Sequence, residues 1–68
     1  MNLFYVLMDE SHERFFSGYD GLGCYYATHI TRAKQYELLE WARRDQQDGL
    51  ADEYPHIIRV NCAMEDIT

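Results

Sequence analysis

Proline is nearly absent from this chain of 68 residues, with one copy, and glycine is sparse, with four. That scarcity goes with the lack of any repeat, low-complexity tract or linker. Bases are also few: six Lys and Arg stand against twelve Asp and Glu, a formal net charge of −6. A protein that binds nucleic acid directly needs a net basic patch to replace the counterions of the phosphate backbone, so this balance argues against it. It argues equally against attraction to an anionic membrane surface. The longest uninterrupted apolar run, Leu3 to Met8, is six residues, far short of a bilayer span. No basic segment precedes a long apolar stretch, so no secretory signal is expected and a cytosolic location is. The two cysteines, Cys24 and Cys62, lie far apart and outside any Cys-x-x-Cys pair; without an export signal, reduced thiols are expected rather than a disulfide.

Hydrophobic residues, by contrast, make up 47% of the chain and aromatics 15%, too many for a disordered segment. The length suits one domain, residues 1–68, with a thin core: a chain of this size buries only about 60% of the surface it exposes when unfolded. Leu3–Met8 reads as a buried or central first strand, ended by Asp9-Glu10-Ser11. Residues 13–17, around Phe15-Phe16, read as a second strand, and Gly18, Asp20, Gly21 and Gly23 mark a turn-rich loop. Cys24–Thr28 reads as a third. Thr31 is a good helix N-cap, and about residues 32–47 contain neither Gly nor Pro, so a helix is expected there. At 100° per residue its inner face carries Leu38, Trp41 and Ala42, with Leu39 at the margin. Gly49 is the natural C-cap. His56–Cys62 reads as the last strand, and Glu65-Asp66 as an acidic tail. The expected fold is α+β: a two-layer unit with an antiparallel sheet of three to four strands packed on one helix.

The chemistry-bearing residues match no catalytic or metal motif. His12-Glu13 opens like the zinc-protease His-Glu-x-x-His, but Phe16 occupies the place of the second histidine. His12, His29 and His56 sit in three separate segments, without the short chelating spacings that would join them to each other or to the cysteines. The glycine-rich Gly18–Gly23 does not end in Lys-Ser/Thr and leads into no helix, so it is no phosphate cradle. No catalytic residue, metal or cofactor is expected; a thiol or metal enzyme ranks last among the readings.

The placement of charge says more. Asp9, Glu10, Glu13 and Asp20 face Arg14 alone within residues 1–31, and Asp45, Asp48, Asp52, Glu53, Glu65 and Asp66 face Arg59 alone within residues 45–68, while residues 32–44 are mildly basic. Turns attract acids for local backbone reasons, and simple solvation accounts for a charge of this size. If folding aligns the acids, however, they form an anionic surface able to replace phosphate in a cationic groove. Six tyrosines, Tyr19 and Tyr54 among them, offer amphipathic contact area beside it.

Small size, acidity, one α+β layer pair and the lack of a catalytic motif together resemble the small phage-encoded inhibitors of the anti-CRISPR type. The resemblance lies in composition and covers no motif. It implies a non-enzymatic inhibitor that binds a basic nucleic-acid-handling complex such as a CRISPR effector, in a bacterial cytosol, and blocks DNA as a DNA mimic. The residues expected to touch the partner are Asp9, Glu10, Glu13, Asp20, Asp45, Asp48, Asp52 and Glu53, with Tyr19 and Tyr54 as anchors. The expected state is a monomer or weak homodimer. The alternative is an antitoxin-like module or small subunit that pairs through an aromatic sheet face.

Overall fold

The computed structural model describes residues 3–20 and 23–68, with the backbone alone at 19, 20 and 23–25. Its centre is a five-stranded antiparallel sheet in the order β3-β2-β1-β4-β5. The strands are β1 (Phe4–Met8), β2 (Phe15–Asp20), β3 (Gly23–Ala27), β4 (His56–Asn61) and β5 (Ala63–Asp66). The most apolar run in the sequence is the central strand, as expected for a strand buried on both faces. β1 pairs with β4 along its whole length, from Phe4↔Val60 to Met8↔His56. It pairs with β2 only at Met8↔Phe15. β2 continues through Gly18 to Asp20, where a loop was expected. A register shift between Phe16 and Gly18 marks a bulge, and Gly18 takes φ 140, a conformation open to glycine at little steric cost. Residues 21 and 22 of the expected loop lie outside the described residues.

Period-two alternation sorts the side chains into two half-cores. Leu7, Phe16 and Ile57 lie on one face with Tyr36, Ala42, Leu50 and Tyr54; Val6, Met8, Phe15 and Ile58 lie on the other with Ala33. In β4 the expected alternation of Ile57 and Ile58 is observed, but each side is apolar and each is buried.

The expected helix at about residues 32–47 is much shorter. Thr31 lies within a single 3-10 turn, Ile30–Arg32, which His29 caps by accepting from the Thr31 N–H. Residues 33–36 are then recruited by the sheet. The Lys34 N–H donates to the Phe16 carbonyl, and Tyr36 exchanges both backbone hydrogen bonds with Tyr5, at 2.8 Å each. This segment fills the gap where β1 and β2 diverge, and carries the chain from the face of Ala33 to the face of Tyr36. Tertiary pairing thus overrides a good helix propensity. The helix proper, α1, spans Leu39–Asp45 and runs into a wider π-type turn, Gln46–Leu50. Gly49, expected as the C-cap, lies inside this turn instead, where at φ 120 it and Asp48 break the helical backbone. The late start rotates the inner face. Ala42 is fully buried and Leu39 packs on the core, whereas Leu38 and Trp41, expected inside, are 43% and 45% exposed.

The fifth strand occupies what reads as an acidic tail. Cys62, expected at the end of β4, instead turns the chain at φ 63, so that Ala63 pairs with Asn61. No Gly, Pro or Asn-Gly signal announces this turn. The backbone of the last residues then docks: the Ile67 N–H donates to the Ile57 carbonyl, and the Ile67 side chain packs on the helix-side core.

Candidate functional site

The β1–β4 register sets where the carboxylates go. Met8 and His56 face each other across the two strands, so the chain leaving β1 and the chain entering β4 emerge at one end of the sheet. Asp9-Glu10 and Asp52-Glu53, far apart in sequence, therefore meet. They line one open cleft with Ser11, Arg14 and Tyr54. Asp66, the last residue of β5, reaches the same end, because β5 runs antiparallel to β4 with Ile58↔Asp66.

The expected contact residues divide between different roles. Asp9 organises the turn between β1 and β2. Its Oδ1 accepts from the Glu13 and Arg14 N–H groups at 2.9 and 3.0 Å, its Oδ2 from the Ser11 hydroxyl, and its own N–H donates to the Arg14 carbonyl. Burial works against its charge. The Arg14 and Glu13 N–H groups and the Ser11 hydroxyl nonetheless hold its carboxyl below the usual carboxylate value. Glu10, Asp52 and Glu53 are exposed and line the cleft. Glu13 and Asp48 are exposed but stand off its walls. Asp45 does not join the anionic end. It accepts from the Tyr36 hydroxyl at 2.7 Å and from Lys34 Nζ at 3.3 Å, in a separate groove with Trp41 and Arg44. Tyr54 is no protruding anchor: its ring is 5% exposed and meets Phe16 edge-on at 5.5 Å, beneath the cleft. The side chains of Tyr19 and Asp20 lie outside the described residues.

A second cluster forms on the opposite face of the same sheet end, from residues the sequence leaves apart. His12 Nε2 and His56 Nδ1 each lie 2.9 Å from Asp66 Oδ2, and the two imidazoles stack with centroids 4.0 Å apart. His12 gets there through the turn after β1, where it takes φ 59 and its N–H donates to the Asp9 carbonyl. His56 is the first residue of β4, diagonal to Asp66 across the β4–β5 ladder. His56 Nδ1 is shielded from solvent and close to the carboxylate, yet out of hydrogen-bond alignment. Among the described residues it is the one buried side-chain nitrogen or oxygen without a hydrogen-bond partner. His29 stays outside, bonded to Thr31. The signal the sequence held was Asp66 and two histidines; what it hid was the turn at Cys62 that folds Asp66 back.

The hydrogen bond from His12, and then the backbone N–H of Thr68, lower the Asp66 carboxyl from its ordinary 3.8 to about 2. A carboxyl whose pKa falls on folding adds stability that is complete above its unfolded value and is lost as the pH drops through its folded one. The contribution of Asp66 is therefore full above about pH 4 and vanishes near pH 2; for so exposed a group it amounts to about 1 kcal/mol or less. Acid titrations followed by circular dichroism should show an unfolding component between these limits that Asp66→Asn lacks. Identical acid limbs for the two proteins would show that the cluster is not coupled to folding.

No helix among the described residues is long and apolar enough to cross a membrane. No protein-family model matches the chain, and neither does a curated protein or a solved structure.

Proposed function

We propose that this domain is a non-enzymatic inhibitor that enters the cationic groove of a nucleic-acid-handling complex with its acidic sheet end and keeps DNA out. A CRISPR effector, whose channel is lined with Lys and Arg to hold nucleic-acid backbone, is the kind of partner that fits. The observation that carries the reading is the meeting of Asp9 and Glu10 with Asp52 and Glu53 around one cleft, with Arg14 the one base in its lining. The β1–β4 pairing brings the backbone that carries these carboxylates together before binding, so less ordering is left to be done when they take the place of phosphates. The rotated helix limits the surface: Asp45 is balanced by Lys34, and the charge of the decoy comes from one end of the sheet rather than from the whole molecule. The alternative, pairing through an aromatic sheet face, finds less support. Phe15, Phe16, Tyr36 and Tyr54 are buried in the chain's own core, while Tyr26 and Trp41 stand exposed.

Charge reversal tests the proposal. Glu10→Lys, Asp52→Lys and Glu53→Lys together leave the structural carboxylate of Asp9 in place. The triple variant should compete with DNA for a purified CRISPR effector at least about 10-fold less well at low salt, with the gap closing at high salt. Competition by the triple variant equal to that of the wild type would overturn the acidic-cleft reading, as would wild-type binding that ignores salt.

A further inference from the structure

The cluster on the other face points beyond charge mimicry. We infer that His12 Nε2, His56 Nδ1 and Asp66 Oδ2 form a binding site for a divalent transition-metal ion of the zinc type. These three atoms lie within 4.8 Å of one another. Two imidazole nitrogens and a carboxylate oxygen make a borderline donor set of the kind zinc accepts, and three protein ligands leave a fourth position for water. Ligand bonds of 2.0–2.2 Å in tetrahedral geometry place donor atoms about 3.4 Å apart. The two nitrogen–oxygen edges stand at 2.9 Å and the nitrogen–nitrogen edge within 4.8 Å, so an ion enters if the first two open by about 0.5 Å and the third settles to the same length.

Two features distinguish this cluster from an ordinary surface ion pair. The first is convergence: two imidazoles stacked at 4.0 Å each bring a ring nitrogen to 2.9 Å from the same carboxylate oxygen. The second feature is His56 Nδ1, shielded, beside the carboxylate and without a hydrogen bond. A metal ion supplies the partner that this nitrogen lacks. The site is also preorganised: the Asp9 turn sets His12, and ladder pairing sets His56 and Asp66. A bound ion would tie the β1–β2 turn, the start of β4 and the end of β5 together. Domains of this size commonly need such a staple.

The inference is independent of the acidic-cleft reading, since Glu10, Asp52 and Glu53 are not among its ligands. Zinc chloride titrated into the isotope-labelled wild-type chain at neutral pH should saturate near one equivalent. It should shift the ring resonances of His12 and His56 while leaving those of His29 in place, and raise the melting temperature. Affinity by calorimetry should fall by more than about 100-fold in His56→Gln and in Asp66→Asn, beyond the roughly 10–100-fold that loss of outer-shell support produces. His12→Asn removes an imidazole while keeping a residue tolerant of φ 59, and should weaken zinc in the same way. The lysine triple variant of the cleft should keep the site. Absence of zinc binding by the wild type, unchanged affinity in the folded variants, or shifts confined to His29 or the cleft carboxylates would overturn the assignment. If the variants unfold, the histidine shifts of the wild type decide alone.

Discussion

Phe16→Ala is expected to leave the domain largely unfolded at room temperature. Phe16 is fully buried, packs in the helix-side core with Leu7, Tyr36, Ala42 and Ile57, and meets the ring of Tyr54 edge-on. Truncating a buried phenylalanine costs roughly 3–5 kcal/mol, from lost burial and from the cavity left behind. A domain of this length holds roughly 3–10 kcal/mol in total. Neighbouring groups can do little to close the hole, because the surrounding backbone is tied. The Phe16 carbonyl accepts from Lys34, and the strand beside it is shifted in register at Gly18. Each kcal/mol lost lowers the melting temperature by about 4–8 °C in a domain of this size. Thermal denaturation followed by circular dichroism checks this. A cooperative melt within a few degrees of the wild type would mean that the two half-cores do not depend on each other.

Removal of residues 63–68 should have an effect of similar size, although every residue of β5 is exposed. The deletion strips four ladder pairings from β4, the Arg59–Glu65 ion pair, the Asp66 bridge to both histidines and the packing of Ile67 on the core. It also uncovers the edge of β4 next to the buried Ile57 and Ile58. Net hydrogen-bond contributions of about 0.5–1.5 kcal/mol each sum to several kcal/mol over this ladder. The expected result is a melting temperature lowered by more than about 10 °C, with self-association through the newly exposed edge. A truncated chain as stable and monomeric as the full one would make β5 an ornament of the fold and remove the structural basis of the metal cluster.

The two candidate sites differ in how far the sequence discloses them. Three of the four carboxylates of the cleft are exposed turn residues, so their being charged and solvated is plain from local composition. Their meeting depends on Met8 lying opposite His56, a long-range pairing that local pattern does not encode. Asp45 shows the converse: by composition it is another acid of the post-helix group, yet Tyr36 and Lys34 claim it, because residues 33–36 join the sheet instead of the helix. The histidine–aspartate cluster is still less visible. Short chelating spacing is a signal only when ligands share one turn or helix. Here His12, His56 and Asp66 come from a turn and two strands.

By itself, the amino-acid sequence determined that this is a small acidic α+β domain with an apolar first strand, an alternating late strand and one helix before the helical backbone breaks at Gly49. These follow from periodicity, β-branching and backbone freedom, which act over a few neighbouring residues. Only the tertiary structure decided that residues 33–36 run beside the sheet, bridged to it at Tyr36, instead of forming helix, that Trp41 faces water and that the last residues form a fifth strand. Each of these outcomes rests on a hydrogen-bond or packing partner distant in sequence: Tyr5 for Tyr36, the core beneath Ala42, and β4 for the strand that the turn at Cys62 brings back. Where such a partner satisfies buried backbone groups, it outweighs the few tenths of a kcal/mol by which local propensity favours one conformation over another.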